Sequence, residues 1–217
     1  MKKIIAIVFS SLFMFSLASA EMGVNVGLSG SVGAFAVTGT EQENDETNKE
    51  DAIGAASWGS VFVELRAGDR FAFGVDYLPA ALESESTETV VDDQKSKDDG
   101  ASAKATNKVS VEFENLTTAY VALNVTENLY VKGGIMQVDV NTEENLGTGS
   151  KYGNTDLDGT MLGMGYHADM GNFFVRVEGT YMDFDDAALT SSTNSDNKIS
   201  ITDLNGVSAK LSVGKSF

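Results

Sequence analysis

The sequence predicts an all-β chain, an eight-stranded antiparallel up-and-down transmembrane β-barrel, on three observations. Apolar residues recur with period two along most of the chain after residue 20. The connections between these alternations are short and long in turn. No apolar run beyond residue 20 approaches the roughly 20 residues that a membrane-crossing helix needs.

Residues 1–20 read as an export signal, with Lys2 and Lys3 as the positive start, Ile4 to Leu17 as the apolar middle and Ala18-Ser19-Ala20 as the cleavage site. The barrel domain is expected over 21–217. Its first strand alternates Met22, Val24, Val26 and Leu28 with Gly23, Asn25, Gly27 and Ser29. Val61, Val63 and Leu65 face away from Glu64 and Arg66 in the second, and Phe71, Phe73, Val75 and Tyr77 oppose Ala72, Gly74 and Asp76 in the third. Val109, Val111, Phe113, Ala119, Val121 and Leu123 face away from Glu112 and Glu114 in the fourth. In the fifth, Leu129 to Val140, the apolar parity changes between Val131 and Met136, which places a bulge near Gly133-Gly134. The sixth, Leu157 to Ala168, carries Leu162, Met164 and Tyr166 on its apolar face. The seventh sets Phe173, Val175, Val177 and Tyr181 against Arg176, Glu178 and Thr180, and the eighth sets Val207, Ala209, Leu211 and Val213 against Gly206, Ser208, Lys210, Ser212 and Gly214.

Tight turns are expected at Ala67-Gly68-Asp69-Arg70, at Asn124 to Asn128 and at Asp169-Met170-Gly171-Asn172. Long polar connections are expected at Thr38 to Ser57, Pro79 to Lys108, Asn141 to Asp156 and Asp185 to Lys198. An up-and-down barrel with both termini on its short-turn side sorts its loops in this way.

The character of the polar face points to lipid outside the barrel. Gly23, Gly27, Gly163, Gly165, Gly206 and Gly214 suit a crowded interior, whereas a water-facing exterior would carry more Lys, Glu and Thr. Closure satisfies every backbone group without an edge, as hydrocarbon demands. Phe71 with Tyr77, and Phe173 with Tyr181, are spaced to approach the two aromatic girdles of such a barrel.

Composition removes other classes. Without cysteine the chain has no disulfide framework, thiolate metal site or lipid-anchoring cysteine, and a single histidine argues against multi-histidine metal catalysis. A formal charge of -17 argues against nucleic acid as a partner.

With these features the chain resembles the family of small outer-membrane barrels that includes OmpX, the opacity-type proteins and the transmembrane domain of OmpA. The resemblance spans residues 21 to 217 and is sharpest in the ending from Gly206 to Phe217, which is similar to the family's assembly signal. Val207, Leu211, Val213 and Phe217 would carry that signal, and Lys215 departs from it, standing where an apolar or aromatic residue is usual. The family implies a Gram-negative outer membrane, outer-membrane lipid and the barrel-assembly machinery as partners, a monomer, and termini in the periplasm.

Glu64, Arg66, Lys132, Arg176, Glu178 and Lys210 fall on the inner face and form the expected interior ion-pair network. Because eight strands enclose little beyond side chains, a structural plug is favoured over an ion-selecting constriction. His167 falls at the short-turn end, opposite the outer rim where barrel-embedded acyltransferases work. Asn154 to Gly159 imitates the start of a calcium loop, but position twelve is Gly165 instead of a bidentate Glu, so the acidic loops offer weak divalent-cation binding at most. The matches to a glycosylation sequon at Asn115 and Asn124 are chance. The expected function is non-enzymatic, without cofactor or structural metal, in envelope structure or in surface interaction and adhesion. A narrow porin-like diffusion channel is the first alternative and a soluble periplasmic ligand-binding barrel the second.

Overall fold

The computed structural model describes residues 22–43, 46–79, 82–83, 87–93, 103–146 and 150–217. The expected export signal lies outside the described residues. The strands are β1 (Met22–Glu43), β2 (Glu46–Ala67), β3 (Phe71–Tyr77), β4 (Leu82–Glu83), β5 (Thr87–Asp93), β6 (Ala103–Asn124), β7 (Leu129–Leu146), β8 (Thr155–Met170), β9 (Phe173–Phe184), β10 (Ala187–Thr190) and β11 (Lys198–Ser216). They build a ring of eight antiparallel staves. β3, β4 and β5 lie one after another along β6 as a single interrupted stave, and β9 and β10 do the same along β11. β11 pairs back onto β1 from Asn25↔Ser216 to Gln42↔Lys198, so the ring closes. Phe217 extends the closure by exchanging two backbone hydrogen bonds with Val24, at 2.8 and 3.1 Å.

The period-two pattern decides which side chains leave the barrel. Leu28, Leu162, Met164, Val207 and Leu211 are each more than half exposed, and Phe71, Tyr77, Phe173 and Tyr181 also point outward. So broad an apolar exterior is what hydrocarbon favours and water does not. The soluble ligand-binding barrel needs its apolar face inside along this belt, and that arrangement is overturned. Two of the short turns, at Gly68 and Gly171, use glycine at φ of 63° and 71°, the left-handed region where a Cβ is costly.

Two expectations about local structure are corrected. The first long polar segment, Thr38 to Ser57, is largely strand: β1 and β2 stay in register from Met22↔Ala67 out to Glu43↔Glu46. At 22 residues each, these strands run roughly twice the 9 to 11 residues that cross a bilayer. Beyond the apolar belt both faces meet water, so the ladder continues without any alternation to announce it. No bulge interrupts β7 at Gly133-Gly134, where the pairing with β8 is continuous from Leu129↔Tyr166 to Val140↔Thr155. The irregularity sits on β6, where Glu114↔Asp139 is followed by Thr117↔Gln137 and Asn115 takes φ 55°. A second, on β11, lies between Thr38↔Thr202 and Ala36↔Asn205, with Asp203 at φ 56°. Asn and Asp tolerate this backbone better than other non-glycine residues. Each bulge is followed by a leucine, Leu116 or Leu204, that packs into the interior.

Candidate functional site: the barrel lumen

The half of the lumen nearer the short turns is filled by ion pairs that reach across the ring. Arg176 on β9 donates from Nη1 to Glu64 Oε2 on β2. Lys132 on β7 donates to Glu178 Oε1 on β9 at 2.9 Å, and Lys210 on β11 donates to Asp76 Oδ2 on β3 at 2.9 Å. Tyr130 donates its hydroxyl to Glu178 Oε2 at 2.9 Å, and Thr180 donates to Oε1 at 3.2 Å. The carboxylates of Glu64 and Glu178 are almost completely excluded from solvent. A buried carboxylate is tolerated only with this kind of charge and hydrogen-bond compensation.

Aromatic rings complete the setting. The Arg176 guanidinium lies 4.5 Å from the Phe174 ring centroid, 5.5 Å from Tyr130 and 5.8 Å from Phe62, while Lys132 Nζ is 4.0 Å above Tyr120. The lumen glycines make room for these rings. A Cβ at Gly74 would stand 2.4 Å from the Tyr120 ring, one at Gly165 2.4 Å from Tyr130, and one at Gly214 2.2 Å from Phe174. In each case ring and glycine are direct cross-strand partners. These three glycines of the polar face are therefore seats for the neighbouring strand's aromatics.

Toward the long loops the filling becomes apolar. Met136, Met161 and Met182 come from the three consecutive strands β7, β8 and β9 and meet in one layer with Phe35, Trp58, Leu116 and Phe184 against them. Above it lie Val138, Val140, Leu157 and Leu204, joined by Phe113 and Ile201. At the junction with the ion pairs a cavity of about 30 Å³ remains, between Asp76, Lys132 and Lys210 on one side and the methionines on the other.

Of the six residues expected in the network, five are brought together. Arg66 is not: it is exposed at the short-turn mouth, lying over Gly23. Asp76, read on the polar face but left out of the network, stands in the place that charge balance requires, giving three carboxylates for Lys132, Arg176 and Lys210. The excess of cations among the six expected residues was the available signal. Phe113 was expected to face with Val121 and Leu123, yet the bulge after it turns it inward. His167 lies at the short-turn end, stacked on Phe174, with Nδ1 accepting from Arg176 Nε at 2.9 Å and Nε2 bonded to Asp169 at 2.9 Å. Both ring nitrogens are engaged, so in this geometry neither serves as a general base. Thr155 to Gly159 is extended strand instead of a loop, with Leu157 buried in the lumen.

At the long-loop end residues 150–154 and 191–197 are stitched together. Ser192 N donates to Lys151 O at 2.8 Å, Lys151 N to Ser191 Oγ at 3.1 Å, and Asn197 Nδ2 to Ser150 Oγ at 2.9 Å. Tyr152, Ser191, Asn194 and Asn197 are buried in this platform, and Lys151, Ser192 and Thr193 are exposed on it. Along β11 from Val207 toward the short-turn end, Val207, Leu211, Val213 and Phe217 all face outward. Lys215 turns its ammonium over the Phe217 ring at 4.6 Å and towards Phe173 at 6.0 Å, so the departure from the terminal pattern is covered by aromatics.

No protein-family model and no curated protein matches this sequence. Solved structures it is similar to include bacterial outer-membrane proteins. Ail, the attachment invasion locus protein of Yersinia pestis, solved with the heparin analogue sucrose octasulfate, is 12% identical with a TM-score of 0.38, over 88% of this chain and 99% of Ail. Neisserial surface protein A is 10% identical with a TM-score of 0.34, over 87% and 97%. The outer-membrane protease OmpT of Escherichia coli is 10% identical with a TM-score of 0.41, over 93% and 99%.

Proposed function

We propose that this chain is a non-enzymatic barrel of the Gram-negative outer membrane, closed to solutes, which acts in envelope structure or surface contact through its long-loop end. The filled lumen carries the reading: three ion pairs, their rings and two apolar layers leave a cavity of about 30 Å³, room for water and not for a solute path. The stitched platform of residues 150–154 and 191–197 supports the surface role, because a contact surface held in one shape loses less entropy on binding. In this reading the short turns and Phe217 face the periplasm, and the terminal strand is what the barrel-assembly machinery receives.

The test is conductance in planar bilayers. The refolded protein is expected to give no steady current, and a large steady current would install the diffusion channel in its place. Orientation is checked by protease added to intact cells, which is expected to cut within residues 79–108 at Lys95, Lys97 or Lys104. Cutting only after the outer membrane is broken would reverse the topology.

A further inference from the structure

The ion-paired belt is the obvious candidate for the element that closes the lumen, but its own side chains invite water. Among the described residues, Glu64 Oε1 and Asn25 Oδ1, cross-strand partners on β2 and β1, are buried acceptors with no protein donor. The hydroxyls of Ser60 and Ser31, further along the same two strands, are also without a protein partner. Since three cations already balance three carboxylates, these oxygens suit neutral water better than an ion. At the short-turn end the Arg176 and His167 side chains, 13% and 18% exposed, reach past Phe62 and Phe174 to the mouth. In the other direction the next side chains are Met136, Met161 and Met182, each 4–5% exposed, with Trp58 and Phe35 beside them. Thioethers are only weak acceptors, and an apolar constriction excludes ions by staying dry.

We infer that the apolar half of the lumen, the methionine layer with the layer of Val138, Val140, Leu157 and Leu204 above it, and not the ion pairs, seals the lumen, and that water reaches the charged belt only from the short-turn end. This rests on the closed-barrel reading above. Ser208 lines the small cavity directly beneath the methionines, and the chain has no cysteine of its own, so Ser208→Cys is a single reporter. A small charged methanethiosulfonate added on the long-loop side of the reconstituted barrel is expected to leave it unlabelled. Adding Met182→Ser with Leu157→Ser, one change in each apolar layer, is expected to allow complete labelling within the same exposure. In planar bilayers the double variant Glu64→Gln with Arg176→Gln is expected to remain closed, whereas Met182→Ser with Leu157→Ser is expected to conduct. The heat-dependent gel shift confirms that each variant is folded. Current through the folded ion-pair variant, labelling of Ser208→Cys alone from the long-loop side, or a folded Met182→Ser with Leu157→Ser variant that stays both closed and unlabelled would each overturn the inference. A conducting unmodified protein would overturn the closed-barrel reading itself, which separates the two failures.

Discussion

The two halves of the lumen fill the same ring with different chemistry. Near the short turns, long side chains cross the barrel to one designated partner: Glu64 to Arg176, Asp76 to Lys210, Glu178 to Lys132. Near the long loops, Met161, Met182, Leu157 and Leu204 fill volume with no designated partner. In the first half, losing one residue leaves a buried charge behind. In the second it leaves only a space. The contrast implies that the charged half specifies which staves face one another, while the apolar half supplies bulk burial and, by the inference above, the seal.

The largest effect should come from Arg176→Ala, which strips Glu64 of its partner and empties the space between three rings. Removing one member of a buried pair costs about 3 to 5 kcal/mol, measurable as a fall in unfolding free energy of the detergent-refolded barrel. In the apolar half, Leu157→Ala should cost about 2 to 5 kcal/mol through the cavity it leaves, and its effect should add to that of a distant lumen variant when the two are combined. Gly165→Ala should cost about 1 to 3 kcal/mol, because its Cβ would fall 2.4 Å from the Tyr130 ring. Gly179→Ala, facing outward into open space, should stay within about 0.5 kcal/mol. The smallest change is expected from replacing a whole pair: Asp76→Leu with Lys210→Met should be near neutral, although either change alone is costly. A double variant as damaged as its single members would erase the distinction between the halves.

The sequence carried the eight alternations and their outward apolar face because lipid on one side imposes period two. It also carried Glu64, Lys132, Arg176, Glu178 and Lys210 on the inner face, since charge among glycines has nowhere else to go in a membrane strand. The upper lumen was hidden for a physical reason. Once Met136, Val138 and Val140 line an apolar interior, they look like lipid-facing residues of the opposite parity, and a continuous strand reads as a bulged one. The real bulges, at Asn115 and Asp203, carry no glycine or proline to mark them. Asp76 belonged to the polar face from the start, but only the three-dimensional ring shows that it stands opposite Lys210. The extension of β1 and β2 to Glu43 and Glu46 left no trace, because a ladder with water on both faces needs no alternation.

The lower lumen depends on one physical condition: its charges are held away from bulk solvent and paired across the ring. A double-mutant unfolding cycle on Glu64 and Arg176, using Glu64→Gln and Arg176→Gln in the refolded barrel, tests it most directly. Close, desolvated charge pairs couple by about 1.5 kcal/mol or more, and the coupling of a buried pair should persist when salt is raised, because buried pairs are screened far less than exposed ones. A coupling of about 0.2 to 1 kcal/mol that salt abolishes is the behaviour of solvated charges, and it would contradict the account.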